Sequence, residues 1–129
     1  MKICIVISSY NNDVTDGLFK SAKEELENSK VTNFEVIKVP GAFEIPFAIS
    51  KMINKFDGFI AIGCIIKGET ANFDLICNGI TNGIIQLSIN EKKPIGNSIL
   101  TTFNKGQALK RFDRGKEAAK AVLEVLKIN

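Results

Sequence analysis

An α/β fold built on a parallel sheet is what this sequence predicts, and three observations predict it. Four short apolar runs, rich in Ile and Val, alternate with four segments of helical periodicity. The run at residues 58–64 carries no charge, as a strand covered on both faces requires. Each run ends in Ser, Asn, Pro, Gly or Thr, the turn chemistry that joins a strand to a helix. The order β-α-β-α-β-α-β-α then calls for right-handed crossovers that place helices on both faces of the sheet. The predicted fold class is therefore α/β, a three-layer α/β/α sandwich on a four-stranded parallel sheet. The chain is expected to form a single domain over residues 1–129.

Residues 2–7 read as the first strand and residues 8–12, SSYNN, as a polar turn. Asn12 or Asp13 is placed to cap a helix over residues 14–28, whose apolar face carries Leu18, Ala22 and Leu26. Residues 34–39 form the second strand, stopped by Pro40 and Gly41, where glycine permits unusual backbone angles. A helix over residues 43–54 follows, with Pro46 in its first turn, where a missing N–H does no harm. The third strand, residues 58–64, runs through a Gly-containing turn into a helix over residues 72–90. Gly79 and Gly83 share one face of that helix and mark a close approach to a neighbouring backbone. Pro94 precedes a fourth strand at residues 95–101. One last helix covers residues 105–126, with Leu109, Phe112, Ala119, Val122 and Leu126 at helical spacing.

Composition narrows the function. A chain of 129 residues, 45% hydrophobic and 24% charged, can bury an ordinary globular core. Its net charge of +3, without a basic run, argues against nucleic acid or a membrane surface as partner. Residues 75–90 are laced with Asn, Thr, Gln, Ser and Gly and make no membrane span. The start, MKICIVISSY, enters a strand directly, so no signal peptide and a cytoplasmic location are expected. Cys4, Cys64 and Cys77 form no CxxC pair, and their odd count favours reduced thiols over a disulfide framework. The chain contains no histidine, which excludes Ser-His-Asp and Cys-His nucleophilic sites and most zinc sites. No metal and no cofactor are expected.

In sheets of this kind the ligand site lies beyond the carboxyl ends of the strands. Four turns meet there, at residues 8–12, 40–44, 65–72 and 101–105. The strand, glycine turn and helix around Gly68 gather backbone N–H groups beside a positive helix terminus, which suits an anion. Gly63 to Thr70 has the spacing of a nucleotide P-loop, but Glu69 stands where that motif needs its lysine. A carboxylate there repels terminal phosphates, so the turn reads as a cradle for a small phosphate.

The turns also carry a resemblance. VPGAFEIP (39–46), IGCIIKGET (62–70), Phe73 with Asp74, LTT (100–102) and QALKR (107–111) resemble, in order and spacing, the motifs of the lumazine synthase family. The likeness runs from Lys2 to the last helix. It implies a flavodoxin-like fold and a cofactor-free step of riboflavin biosynthesis. In that step 5-amino-6-ribitylamino-uracil condenses with 3,4-dihydroxy-2-butanone 4-phosphate to 6,7-dimethyl-8-ribityllumazine, releasing phosphate and water. It also implies a homo-oligomer, either a pentamer or a sixty-subunit shell, with sites between adjacent subunits. The pentamer is the reading preferred here, and riboflavin synthase is a further candidate partner.

Residue by residue, the resemblance places Tyr10 as the ring stacked on the pyrimidine and Asn11 at the ring edge. Gly41, Ala42, Phe43 and Glu44 hold the pyrimidine and the ribityl chain, Phe43 through its backbone with its side chain read as core. Cys64, Ile65 and Ile66 contact the heterocycle. Lys67, Gly68, Glu69 and Thr70 cradle the phosphate, and Thr70 also suits a helix cap. Arg111 reaches the phosphate from the adjacent subunit, Arg114 supplies a second cation, and Asn97 stands at the substrate-binding position where some members close the stacking pocket with an aromatic or apolar residue and others are polar. The family's proton-shuttling histidine corresponds to Asn72, and an amide carries no proton near neutral pH.

Three readings of Asn72 follow. The enzyme is active but slower, since holding two reactive substrates together already supplies much of the acceleration. Another group has taken over acid–base work. Or the protein is a non-catalytic lumazine- or flavin-binding, or shell-forming, homologue. An archaeal-type riboflavin synthase and a P-loop nucleotide module are weaker alternatives.

Overall fold

The structure, a computed structural model, describes residues 1–129. Strands β1 (Ile3–Ser8), β2 (Phe34–Val39), β3 (Gly58–Ile66) and β4 (Ile95–Thr102) alternate with helices. These are α1 (Asn12–Asn28), α2 (Ile45–Met52), α3 (Asn72–Glu91), α4 (Lys105–Ala108) and α5 (Asp113–Val125). The sheet is parallel throughout, in the order β2-β1-β3-β4. This is the doubly wound, flavodoxin-like order, with its reversal of direction between β1 and β3.

Alternation along the central strands divides the core in two. Ile3, Ile5, Ile7, Ile60, Ile62 and Leu100 pack under α1 and α5. Cys4, Val6, Phe59, Ala61 and Ile99 pack under α2 and α3. Every residue of β1 and the first seven of β3 are buried, as two covered faces demand. Each fully buried isoleucine contributes about 1.5–3 kcal/mol.

The predicted alternation and element types hold, and the boundaries differ where a local bond decides them. α1 is capped by Asn11, not by Asn12 or Asp13. Asn11 adopts the left-handed conformation (φ 56°), which asparagine tolerates, and its carbonyl accepts from Val14 and Thr15. The helix expected over 43–54 is a 3-10 turn, Ala42–Glu44, followed by α2. The Gly41 N–H donates to the Glu44 carboxylate at 2.9 Å and closes that turn. Gly83 does meet a neighbour, the Pro46 side chain at 3.4 Å from where a Cβ would stand, but Gly79 meets nothing. The close backbone approach expected of both is absent within the subunit.

The last helix is two helices. Asn104 caps the single turn of α4, accepting the Gln107 N–H at 2.9 Å, and the chain turns through Leu109 to Phe112 before α5. The reason lies in packing. α4 lies against β4, and α5 packs on both β4 and α1, on α1 so closely that a Cβ on Gly115 would stand 2.0 Å from the Leu18 carbonyl oxygen. Phe112, expected on a continuous helical face, lays its ring over Gly17 instead. Seating α5 against α1 as well as β4 requires the break.

This geometry makes Gly115→Ala overpack the α1–α5 contact, with a loss of about 3 kcal/mol. Urea unfolding should show a clearly lowered midpoint, and an unchanged midpoint would contradict the packing described.

Candidate active site

The site is built at the carboxyl ends of β1, β2 and β3 and, separately, along the free edge of β4. At the first place the Ser9 N–H donates to the Val39 carbonyl and the Tyr10 N–H to the Pro40 carbonyl, so the β1 turn lies beside the β2 turn. Tyr10 is 74% exposed there, its ring unburied and open to a planar ligand. Asn11 spans to the next strand, its side-chain amide donating to the Cys64 carbonyl at 3.3 Å. That amide is committed to holding turns together, while its oxygen is free to accept. Gly63 lets the 3-10 turn close on β3, with the Ala42 methyl 3.3 Å from where a Cβ would stand. Gly41, Ala42, Glu44, Cys64 and Ile65 are thus gathered with Tyr10 and Asn11. Phe43 is not core, as expected from sequence, but 66% exposed, because the 3-10 turn points it away from α2.

Beyond β3 the turn Lys67–Thr70 is exposed along its length. It is tied to β4 by the Lys67 N–H, which donates to the Thr102 carbonyl at 2.9 Å. Thr70 accepts the Asn72 N–H on its hydroxyl oxygen at 3.3 Å, but the N-cap of α3 is Ala71, not Thr70 as expected from sequence. Asn72 is exposed as the first residue of α3. Gly68 has open space around it, so a ligand can approach its backbone. Ile66, expected to contact the heterocycle, instead packs its side chain partly into the core beneath α1 and α5. Alternation along β3 turns it to the face opposite Ile65.

The second place is a cavity of about 380 Å³ between α3, β4 and the turn before α5. Asn97, Arg111 and Arg114 line it, with Ile65 from β3. No carboxylate lines this cavity, so its field is positive. Arg114 is held in place, bonding the Asn97 carbonyl at 3.2 Å and Glu117 at 3.6 Å. Arg111 enters none of the ion pairs and lies in the turn before α5, not on a helix face. An unpaired guanidinium in a cavity without acids is a receptor for phosphate or carboxylate.

Sequence reasoning missed Phe103 and Gln107 as members of this cavity. Gln107 stood within the QALKR motif, but only the structure shows its side-chain oxygen accepting the Phe103 N–H at 2.9 Å.

Two further features frame the site. Asp13, at the start of α1, pairs with Lys105 of α4 at 2.8 Å and is held below the usual carboxylate range by that hydrogen bond. The tie fixes α4 to α1, contributing above the ordinary Asp range and fading as pH falls through the lowered value. Cys4, Cys64 and Cys77 are all free, with burial pushing each thiol up, Cys4 to about 12. None has the depressed pKa of a nucleophile.

Within one subunit the two places share only Ile65. The turn after β2 and the edge of β4 lie three inter-strand spacings apart, about 14 Å, and the β4 cavity includes neither Tyr10 nor Glu44. What fold and site define is a doubly wound α/β protein with an exposed tyrosine beside its strand ends and two arginines in an acid-free cavity along β4. Comparison with known proteins agrees. The model of the 6,7-dimethyl-8-ribityllumazine synthase family matches residues 1–129. A 6,7-dimethyl-8-ribityllumazine synthase of Limosilactobacillus reuteri is 38% identical over 99% of this chain and 89% of that relative. One from Cutibacterium acnes is 38% identical, covering 98% and 80% respectively. One from Burkholderia cenocepacia is 40% identical, covering 97% and 76%. The chain belongs to the 6,7-dimethyl-8-ribityllumazine synthase family.

The thiols give a pH prediction. Unfolded Cys4 ionises near the ordinary thiol value of 9.0, whereas the folded thiol holds its proton to about 12. The unfolded state therefore binds fewer protons between these values, and stability falls as pH rises through that window. Denaturant midpoints at pH 8 and pH 10 should diverge less in Cys4→Val than in wild type. Equal divergence would show that Cys4 does not contribute.

Proposed function

We propose that this protein is a working 6,7-dimethyl-8-ribityllumazine synthase, a transferase of riboflavin biosynthesis, with its active site completed between two copies of the chain. The observation that carries this reading is the unpaired Arg111 in an acid-free cavity, in a chain that the family model matches from end to end. Tyr10 stacks on the pyrimidine of 5-amino-6-ribitylamino-uracil, while Gly41 to Phe43 read its edge through backbone groups. Glu44 accepts from the ribityl hydroxyls. Arg111 and Arg114 of a neighbouring copy, with Gly68 and Thr70, hold the phosphate of 3,4-dihydroxy-2-butanone 4-phosphate.

The chemistry is a condensation of two reactive partners. The pyrimidine amine attacks the ketone, water leaves as the imine forms, and phosphate departs with its charge neutralised by the arginines. The second condensation closes the ring. Holding both substrates in one geometry supplies most of what the step needs. Asn72 positions by hydrogen bonding, and proton transfers fall to water, the substrate phosphate or Glu44.

Self-association is supported by the apolar outer surface of α2 and α3. Phe47 and Leu75 are each 70% exposed, and Ile89 is 66% exposed. Large apolar side chains left uncovered on these two helices are what a second copy would bury. We take the assembly to be a pentamer acting in the cytoplasm, where the free thiols stay reduced. No helix is long and apolar enough to cross a membrane.

Product formation tests the reading, followed by lumazine absorbance with both substrates present. Wild type should exceed the uncatalysed background, and Arg111→Ala should lose about 10- to 100-fold in kcat/KM for the phosphate substrate. Asn72→His should raise kcat and introduce a pH dependence between about 5 and 8 that wild type lacks. If wild type matches background yet binds lumazine or riboflavin, a carrier replaces the enzyme. Arg111→Ala and Glu44→Ala, each impaired alone, should recover about a quarter of wild-type activity when co-assembled in equal amounts, because a quarter of the interfaces carry both intact halves. No recovery would place the site within one subunit.

A further inference from the structure

The turn read as the phosphate cradle has few ties to the rest of the fold. Lys67 to Thr70 is exposed, Gly68 touches nothing, and one backbone bond to Thr102 anchors its first residue. One further contact reaches across. The Lys67 ammonium stands over the ring of Phe103, 5.3 Å from its centroid. Phe103 is 66% exposed, an unfavourable placement for a ring that only packs.

Its position is nevertheless specified. The Phe103 N–H donates to Gln107 at 2.9 Å, Gln107 donates to Asn104 at 2.9 Å, and Thr102 donates to the Asn104 carbonyl at 2.9 Å. Phe103 and Gln107 both line the cavity that holds Arg111. The ring therefore lies on the seam between the β3 turn and the β4 cavity. Its negative face attracts the ammonium.

We infer that Phe103 is a positioning residue, whose ring clasps Lys67 and so pre-orders the Lys67–Thr70 turn for a phosphate group. The inference rests on the reading of that turn as a phosphate cradle. Ordering a loop before binding removes part of the entropic cost that binding otherwise carries. The ring takes no part in chemistry, so its effect belongs to affinity for the phosphate substrate and not to turnover.

The test compares wild type, Phe103→Leu, Phe103→Tyr, Lys67→Met and the double variant Phe103→Leu with Lys67→Met. Calorimetry gives the affinity for inorganic phosphate, and steady-state kinetics give KM and kcat for both substrates. Phe103→Leu should weaken phosphate binding about three-fold, the size of an exposed cation–π contact. KM for the butanone phosphate should rise equally, with kcat and the pyrimidine KM unchanged. Phe103→Tyr, which keeps an aromatic face, should behave as wild type, and the double variant should be no weaker than Lys67→Met alone. The clasp is overturned if Phe103→Leu binds phosphate as wild type does, if Phe103→Tyr is equally impaired, or if the two single losses multiply. It is also overturned if wild type binds no phosphate. If the phosphate pattern holds while wild type forms no product, the clasp stands and the proposed reaction falls.

Discussion

The pairing of β1 with β3 is the constraint on which the rest of this structure depends. These strands are adjacent in the sheet but not in the chain, so the sequence between them must cross out to β2 and back. Both are buried on both faces, which commits their side chains to hydrophobic cover and leaves only their ends for polar work. The reversal of winding at this pair opens a crevice at the carboxyl ends. Asn11 bridges that crevice by donating to the Cys64 carbonyl, at the cost of a left-handed backbone. The turn carrying Tyr10 and the turn leaving β3 are thereby held as one unit.

Around this centre the candidate site is divided by topology. β2 and β4 lie at opposite edges of the sheet, so the turn bearing Glu44 and the cavity bearing Arg111 face different directions. Neither half is complete alone. The first offers an aromatic ring and hydrogen-bonding backbone without a cation to bind phosphate. The second offers guanidinium groups but neither Tyr10 nor Glu44. In the function proposed above, a second copy resolves the mismatch, and the exposed apolar residues of α2 and α3 give copies a reason to associate. On that proposal, assembly and catalysis are one requirement.

The absence of histidine shapes the chemistry more than any residue that is present. Without an imidazole the site has no side chain poised near neutral pH, and the cysteines are pushed further from reactivity by burial. What remains is positioning and charge. A condensation between an amine and a ketone with a good leaving group suits such a site, since its partners carry their own reactivity. The Asp13–Lys105 pair and the Lys67–Phe103 contact both belong to this economy, holding turns in register instead of moving protons.

Much of this was legible in the sequence, and the physical reasons are specific. Periodicity and turn chemistry determined the four strands, the helices between them and the doubly covered sheet, because both are local properties of the chain. The QALKR and IGCIIKGET stretches were read as site segments through their resemblance to the family's motifs, not through periodicity. Packing between distant segments was not readable. The break at residues 109–112 follows from Gly115 lying against the Leu18 backbone, a contact between residues 97 positions apart that no local pattern encodes. Phe103 gave no signal, since an exposed ring in a turn acquires meaning only when Lys67 stands over it. The division of the site between two edges was likewise a tertiary decision, because strand order, not strand sequence, sets how far apart the turns lie.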